Sequence, residues 1–329
     1  MKVCVTGGAG YIGSHAVYEL IKENHEVIVI DDLSTGDINS IHNKAKFYKQ
    51  DISDKEGLMK ILKEENDKKP IDVIMHFAAK LIVPESVTQP LEYYHTNVEG
   101  TRILLETMKE LQINNIVFSS TASVYGDAKN GICNEEDSVL PINPYGDSKL
   151  ACERLIKWSA EAYHFNYCIF RYFNVAGADK SLEIGLNKEN LTHLIPVVIE
   201  TALKSRDKMI IYGDDYNTKD KTCVRDYVHV SDIARAHLLG AKYIVNNNTS
   251  TLLNLGSNNG YSVKEIINEV EKYAKVNYEI GPRRQGDPPI IIANNKKAKE
   301  VIGWSPIYTI KDIIETDYKY RQKLLNKNQ

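Results

Sequence analysis

Residues 2–30 place a glycine-rich turn between two strands, and this limits the possible folds more than any other stretch. Lys2 to Thr6 is a short apolar run with strand character. It enters Gly7-Gly8-Ala9-Gly10-Tyr11-Ile12-Gly13, after which Ile12, Ala16, Val17, Leu20 and Ile21 recur at helical spacing, and Glu26 to Ile30 reads as a second strand. Strand, glycine turn, helix and strand within about thirty residues mark a dinucleotide-binding unit. Gly7, Gly10 and Gly13 let the backbone turn tightly and let a pyrophosphate approach the helix start beside Tyr11 and Ile12. Free N–H groups and the helix dipole favour an anion there. Asp31 closes the second strand, eighteen positions after Gly13. Its carboxylate can accept hydrogen bonds from an adenosine ribose and would repel a 2′-phosphate. The residues that follow, Asp32, Leu33, Ser34, Thr35 and Gly36, supply no Arg or Lys to offset that repulsion. NAD is therefore expected in preference to NADP.

The alternation continues. Phe47 to Gln50 reads as strand, residues 54–66 as helix, and Ile71 to Ala79 as an apolar, β-branched strand. Pro90 opens a long helix running to Leu111, and Asn115 to Ser120 is the next strand. This predicts an α/β fold, a doubly wound (Rossmann) parallel sheet with ligands at the carboxyl ends of its strands. Asp51-Ile52, Phe77-Ala78-Ala79 and Ser119-Ser120-Thr121 sit at such ends, the first two as expected cofactor contacts. The rhythm loosens after residue 173. An NAD-binding domain is expected over residues 1–173 and a smaller mixed α/β substrate domain over 174–329, with some later segments returning to the first sheet.

The Tyr-x-x-x-Lys spacings of the chain include Tyr18/Lys22 and Tyr145/Lys149. A Lys-rich chain with 20 Tyr is expected to contain about two by chance, so position must separate them. Tyr18 and Lys22 lie on the helix beyond the glycine turn and should face away from the crevice. Tyr145 and Lys149 open the helix that follows Thr121, with Pro144 in its first turn. At i, i+4 they share one helix face. There the Lys149 ammonium is expected to favour the Tyr145 phenolate, lowering the phenol's pKa from its usual value of about 10. Such a group is a general base for a carbinol, and the Thr121 hydroxyl can reach the same oxygen.

Composition removes other classes. A net charge of −3 argues against nucleic-acid binding through a broad basic surface. No apolar run approaches the roughly 18 residues of a membrane span, and no signal-peptide pattern is present. The five cysteines are scattered, with no Cys-x-x-Cys or Cys/His cluster, so neither a metal site nor a disulfide framework is expected. A cytoplasmic location follows as the expectation.

Thr6-Gly7-Gly8-Ala9-Gly10-Tyr11-Ile12-Gly13, Asp31, Ser119-Ser120-Thr121 and Tyr145-x-x-x-Lys149 together resemble the extended short-chain dehydrogenase/reductase family, over essentially the whole chain. Pro90-Leu91-Glu92-Tyr93-Tyr94 with Asn97-Val98, Phe170-Arg171-Tyr172-Phe173-Asn174-Val175-Ala176-Gly177 and Gly213-Asp214-Asp215-Tyr216 are similar to its UDP-sugar 4-epimerase branch. The resemblance implies reversible inversion at C4 of UDP-glucose and UDP-galactose through a transient 4-keto sugar. Tyr145, Lys149 and Thr121 would carry it, with NAD tightly bound and regenerated each cycle. Thr96 and Phe173 are implied as further cofactor contacts. One position departs from the pattern. Many members carry Gly-Leu-Lys where Ala79-Lys80-Leu81 stands here, so Leu81 takes the place of a cofactor-contacting Lys, and that role is not assigned to Lys80.

The resemblance also implies a clamp on the substrate's diphosphate, formed by Arg225 and Arg284 on separate loops. Asp287, Asn174, His193, Leu194, Tyr212 and Ile291 would complete the substrate site. A planar guanidinium suits bidentate phosphate contact. The alternative is that the two arginines merely pair with Asp226 and Asp287. Ile291 stands where a bulky Tyr excludes N-acetyl groups, so UDP-N-acetylglucosamine and UDP-N-acetylgalactosamine are expected to fit. A homodimer through the helices around 91–111 and 145–162 is implied by the same likeness. His229, Arg171 and Tyr172 are read as structural. The rivals are an epimerase of UDP-uronic acid or UDP-pentose, a nucleotide-sugar 4,6-dehydratase and a non-catalytic dinucleotide-sensing protein. The dehydratase would carry Asp-Glu where Ala122-Ser123 follow Thr121, and the sensor would have lost the Tyr/Lys pair.

Overall fold

The β-branched, apolar segments of the first half form strands that are buried on both faces. In a computed structural model describing residues 1–128, 131–188, 191–284 and 287–327, β1 (Lys2–Thr6) leads through the glycine turn to α1 (Tyr11–Lys22) and β2 (Glu26–Asp31). Then come β3 (Lys46–Lys49), α2 (Lys55–Lys68), β4 (Val73–His76), α3 (Val83–Thr88), α4 (Pro90–Tyr93), α5 (Gly100–Leu111) and β5 (Asn115–Thr121). The short β6 (Ile132–Cys133) precedes α6 (Pro144–Tyr163), β7 (Asn166–Tyr172) and β8 (Asn174–Ala176). Beyond lie α7 (Leu194–Ala202), β9 (Met209–Tyr212), β10 (Val224–His229), α8 (Val230–Asn247) and β11 (Thr251–Leu255). The chain ends with β12 (Gly260–Ser262), α9 (Val263–Val270), β13 (Tyr278–Gly281), β14 (Ile290–Ala293), α10 (Lys296–Ile302) and α11 (Ile310–Lys327).

Seven parallel strands form the main sheet, in the order β11-β7-β5-β4-β1-β2-β3. Alternate residues feed two cores. Val3 and Val5 face α1 and α8, while Cys4 faces the layer that holds Leu58, Leu104, Cys152 and Ile156. The strand order reverses between β1 and β4, which opens a crevice at their carboxyl ends. The second half does return to this sheet: β11 adds an edge strand beside β7, and α8 packs on α1. The smaller lobe is built on β12-β10-β14-β6, with β8 on β10, and on a β13-β9 pair. Its core joins α7, α9 and α11 through Ile195, Ile199, Ile266 and Ile313.

Two elements differ from the sequence expectation. The fourth strand ends at His76, because Phe77 and Ala78 both donate to the Thr6 carbonyl (2.9 and 3.1 Å) and turn away from the sheet. The long helix from Pro90 contains a π-helical turn at Tyr94–Glu99. Within that turn the Asn97 carbonyl accepts from Thr101 Oγ1 (2.6 Å) and from Cys152 Sγ (3.2 Å), so side chains satisfy an oxygen that the wider turn releases. Among the described residues no helix is long and apolar enough to cross a membrane, and no group of acidic, His or Cys side chains could hold a metal ion.

Candidate active site

The glycine turn is a cradle that side chains would fill. A Cβ on Gly13 would lie 2.2 Å from the Gly7 carbonyl oxygen, and one on Gly7, whose φ is +74°, would lie 2.5 Å from the Ala78 nitrogen. Gly10 caps α1 without any side-chain hydrogen bond, so the first-turn N–H groups are left for a ligand. The Tyr11 hydroxyl donates to the Gly177 carbonyl at 2.5 Å and ties the turn to the smaller lobe. Ile12 and Gly13 continue the first turn of the helix. Asp31 is buried and accepts from the Ala9 and Leu33 amides, both at 2.9 Å. Burial pushes its pKa up, and those two amides draw it back. The cradle, the uncapped helix start and this carboxylate suit a dinucleotide with a free ribose 2′-hydroxyl.

The loop after β2 is self-organised. Asp32 accepts from the Ser34 amide (2.8 Å) and hydroxyl (2.7 Å), Leu33 has a left-handed φ of 62°, and Gly36 approaches Ala9 and Asp31 too closely for a side chain. Thr35 stands between them. Asp51 binds the Ser53 amide at the end of β3, and Ile52 is buried against Gly100. Ala79 and Thr96 are half-buried. Leu81 is 44 % exposed, and the Lys80 ammonium lies 3.8 Å from both Glu85 and Glu92. One residue escaped sequence reasoning. Lys188 brings a positive charge into the field of Asp31, and burial lowers the lysine's pKa while Asp31 raises it. It stands 157 positions away, so no local pattern could announce it.

At the carboxyl end of β5, α6 opens with Pro144 in its first turn. Asn143 caps it, accepting from the Gly146 amide at 2.9 Å. Gly146 lets this helix start approach closely, since a Cβ there would lie 2.7 Å from the Ser123 carbonyl oxygen. Tyr145 stands in the first turn of α6. Burial pushes the phenol's pKa up, and the Thr121 side chain draws it back. Lys149 is 4 % exposed. Its ammonium donates to the Ser119 carbonyl (2.9 Å) and sits 4.9 Å from the Phe118 ring centre. This differs from the expected pairing. The lysine does share the helix face with Tyr145, but it reaches the strand backbone, and Thr121 provides the pull on the phenol. Burial brings the Lys149 pKa down to about 8, against the opposing influence of Cys152 and Glu153.

Phe173 is buried beside this corner with Tyr125 and Leu150. The other pair behaves as expected: Tyr18 packs edge-on against His42 and Lys22 pairs with Glu19.

The smaller lobe supplies the opposite wall. Asn174, Arg225 and Ile291 lie on adjacent strands, with Arg225 in register with Ile291 and Asn174 with Tyr227. Arg225 donates to Asp287 at 2.6 Å, while the Arg284 guanidinium stacks on the Tyr212 ring at 3.9 Å. Of the two aspartates named as alternative partners, Asp287 does take an arginine and Asp226 does not. Asp226 is buried and is taken up by the Ser257, Asn258 and Ala293 amides, and Asp287 joins the two loops instead. Asn174 Nδ2 donates to the Asp226 carbonyl at 2.9 Å. His193 precedes Leu194 at the start of α7, and burial lowers its pKa, with Lys188 adding to the effect. His229 is a buried cap of α8: its Nδ1 accepts from the Ser231 amide, and its ring stacks on Tyr308.

A family profile described as GDP-mannose 4,6 dehydratase matches residues 4–316. A UDP-glucose 4-epimerase from Lactobacillus helveticus is 45 % identical over 325 residues, which is 98 % of this chain and 97 % of that protein. The chain belongs to the UDP-glucose 4-epimerase family. A crystal structure of a UDP-glucose 4-epimerase aligns with a TM-score of 0.95 at 44 % identity, over 99 % of each chain. The Bifidobacterium longum enzyme in complex with NAD+ and UDP aligns with a TM-score of 0.91 at 33 % identity, again over 99 % of each. The Stenotrophomonas maltophila and Brucella ovis UDP-glucose 4-epimerases, 34 % and 37 % identical to this chain, are likewise structures with NAD. The profile's description names a dehydratase, but this site lacks the dehydratase's acid pair. Ala122 and Ser123 form a short 3-10 turn whose start is capped by Thr121, and neither carries a carboxyl group.

Proposed function

We propose that this enzyme interconverts UDP-glucose and UDP-galactose, with Tyr145, Thr121 and Lys149 as its catalytic group. The observation that carries the reading is the junction of β5, which ends at Thr121, with α6, which opens on Tyr145 and whose Lys149 ammonium donates to the Ser119 carbonyl at 2.9 Å. Tyr145 as phenolate takes the C4 hydroxyl proton, and Thr121 orients that oxygen. The Lys149 ammonium, held at Ser119, adds positive charge on the helix face that carries Tyr145. Bound NAD supplies the hydride acceptor and returns the hydride, so no net redox change occurs. Arg225 and Arg284 hold the diphosphate while the 4-keto sugar turns its other face, and the same phenol returns the proton. Asn174, His193, Leu194, Tyr212 and Asp287 line the nucleotide-sugar side. The test is turnover of UDP-galactose by purified protein with no NAD added. Absence of product, even after NAD is supplied, sinks the reading.

Substrate range turns on Ile291, half-buried in register with Arg225. It leaves room that a Tyr would fill, which supports acceptance of UDP-N-acetylgalactosamine. Ile291→Tyr is expected to lower kcat/KM for that sugar about tenfold or more while changing UDP-galactose turnover little. Equal losses on both sugars would refute a size filter at this position.

A homodimer and a cytoplasmic location complete the proposal. Leu91 on α4 and Trp158 on α6 are 83 % and 69 % exposed, large apolar groups of the kind that interfaces cover. Trp158→Arg is expected to leave a monomer in sedimentation analysis, and an unchanged dimer would place the interface elsewhere. Five free thiols, four of them buried, fit a reducing compartment.

A further inference from the structure

Beneath the Tyr145–Thr121 corner lies a dry ion pair that the reaction scheme does not use. Glu153 sits on α6 one turn beyond Lys149, and no part of it is exposed. Its Oε1 accepts from Ser120 Oγ (2.5 Å) and Arg171 Nε (2.9 Å), and its Oε2 accepts from Arg171 Nη2 (2.7 Å). Ser120 on β5 and Arg171 on β7 are direct register partners, and Asn254 on β11 is Arg171's partner on the other side. The same register places Thr121 opposite Tyr172 one residue further on. Successive strand residues point to opposite faces. Ser120 and Arg171 therefore face α6, and the reacting corner begins at the next residue of each strand.

The pair is braced from behind. The Arg171 guanidinium lies 4.9 Å from the Tyr125 ring centre, the Tyr125 hydroxyl donates to Asn254 Oδ1 (2.7 Å), and the Asn254 amide donates to Glu135 (2.8 Å). Two strands and the helix are thus fixed to one carboxylate, and β11 braces Arg171 through Asn254 and Tyr125. A bidentate guanidinium–carboxylate contact fixes distance and angle together, which apolar packing of Ile156 and Cys152 alone does not.

We propose that Glu153, clamped between Ser120 and Arg171, is a positioning residue for the reaction: it fixes the height and rotation of α6 on the sheet and so sets where Tyr145 and Lys149 meet β5. This rests on the epimerase reading above. Glu153 also acts through charge. Burial drives Lys149 towards its neutral form, and the Glu153 carboxylate is one of the groups that oppose this. Turnover needs Tyr145 ionised and Lys149 protonated. Since burial holds the phenol above its ordinary value and the ammonium below, kcat rises with pH while Tyr145 ionises and levels off where Lys149 loses its proton. Removing the carboxylate lowers the Lys149 pKa and moves that bend to lower pH.

The test compares the parent holoenzyme with Glu153→Gln, Ser120→Ala and the double variant Glu153→Gln/Arg171→Gln, using UDP-galactose. Glu153→Gln is expected to lower kcat about tenfold or more, with KM nearly unchanged, and to move the bend in the kcat–pH profile to lower pH. The double variant leaves no unpaired buried charge, so it folds if the orphaned arginine is what destabilises the single variant. It keeps the lowered kcat and the displaced bend. Ser120→Ala removes one donor, retains the charge and lowers kcat severalfold with the bend in place. A bend and kcat matching the parent in the double variant, or a loss that appears only in KM, overturns the proposal. An inactive parent would instead overturn the epimerase reading.

Discussion

Tyr145→Phe lowers kcat for UDP-galactose about a thousandfold, within the range for loss of a positioned general base, and leaves NAD retention unchanged. The ring remains, so the packing at the start of α6 is kept and only the hydroxyl is removed. Thr121 still accepts from the Ser123 amide at 3.1 Å and holds its place, so KM is expected to change little. The phenol's burial makes its ionised form scarce near neutral pH, and the parent's kcat should therefore climb as pH rises. In the variant that climb flattens, because the group that titrates is gone. Initial rates across pH, with NAD content measured on the same samples, check both statements. A variant within tenfold of the parent, still rising with pH, would move the proton transfer to another group.

Much of this corner was legible in the sequence because its determinants are local. Gly7 to Gly13 joins a strand to a helix within one short segment, and Asp31 ends the strand that follows. Tyr145 and Lys149 are one helical turn apart, so their shared face follows from helix geometry alone. What sequence reasoning missed arises between distant segments. Lys188 enters the field of Asp31 across 157 positions, and Arg225 pairs with Asp287, its neighbour Asp226 being taken up by amides of the loop after β11 and of β14. The expected Lys149–Tyr145 contact shows the limit of spacing arguments. Spacing puts both side chains on one face, and the strand backbone then decides what the longer one reaches. Glu153 carries no local signal, since neither Ser120 nor Arg171 is near it in sequence. Likewise, β11 and α8 belong to the first sheet by pairing and packing, which the loosened rhythm of the second half only hinted at.

The glycine turn supports a prediction that separates Gly13 from Gly10. At Gly13 an added Cβ would meet the Gly7 carbonyl oxygen at 2.2 Å, the Gly7 carbonyl carbon at 2.9 Å and the Gly8 Cα at 3.0 Å. All three are backbone atoms, so relief requires the turn itself to move. At Gly8 the nearest atoms are the Val29 and Val5 side chains, and at Gly10 a single contact at 3.2 Å is met. Gly13→Ala is therefore expected to displace the carbonyls and amides that shape the pyrophosphate cradle, weakening NAD retention by at least about tenfold, or about 1.4 kcal/mol. Overpacking adds a loss of about 1–3 kcal/mol in stability, seen as a lower Tm even for protein stripped of nucleotide. Gly10→Ala should keep most of its cofactor, because one contact a few tenths of an ångström too short can relax. The comparison is made by denaturing equal amounts of each purified protein and quantifying the released NAD. If Gly13→Ala releases as much NAD as the parent, the close approach of α1 to the turn is not what holds the cofactor. The uncapped amides after Gly10 would then have to bind it without the tight geometry that Gly13 provides.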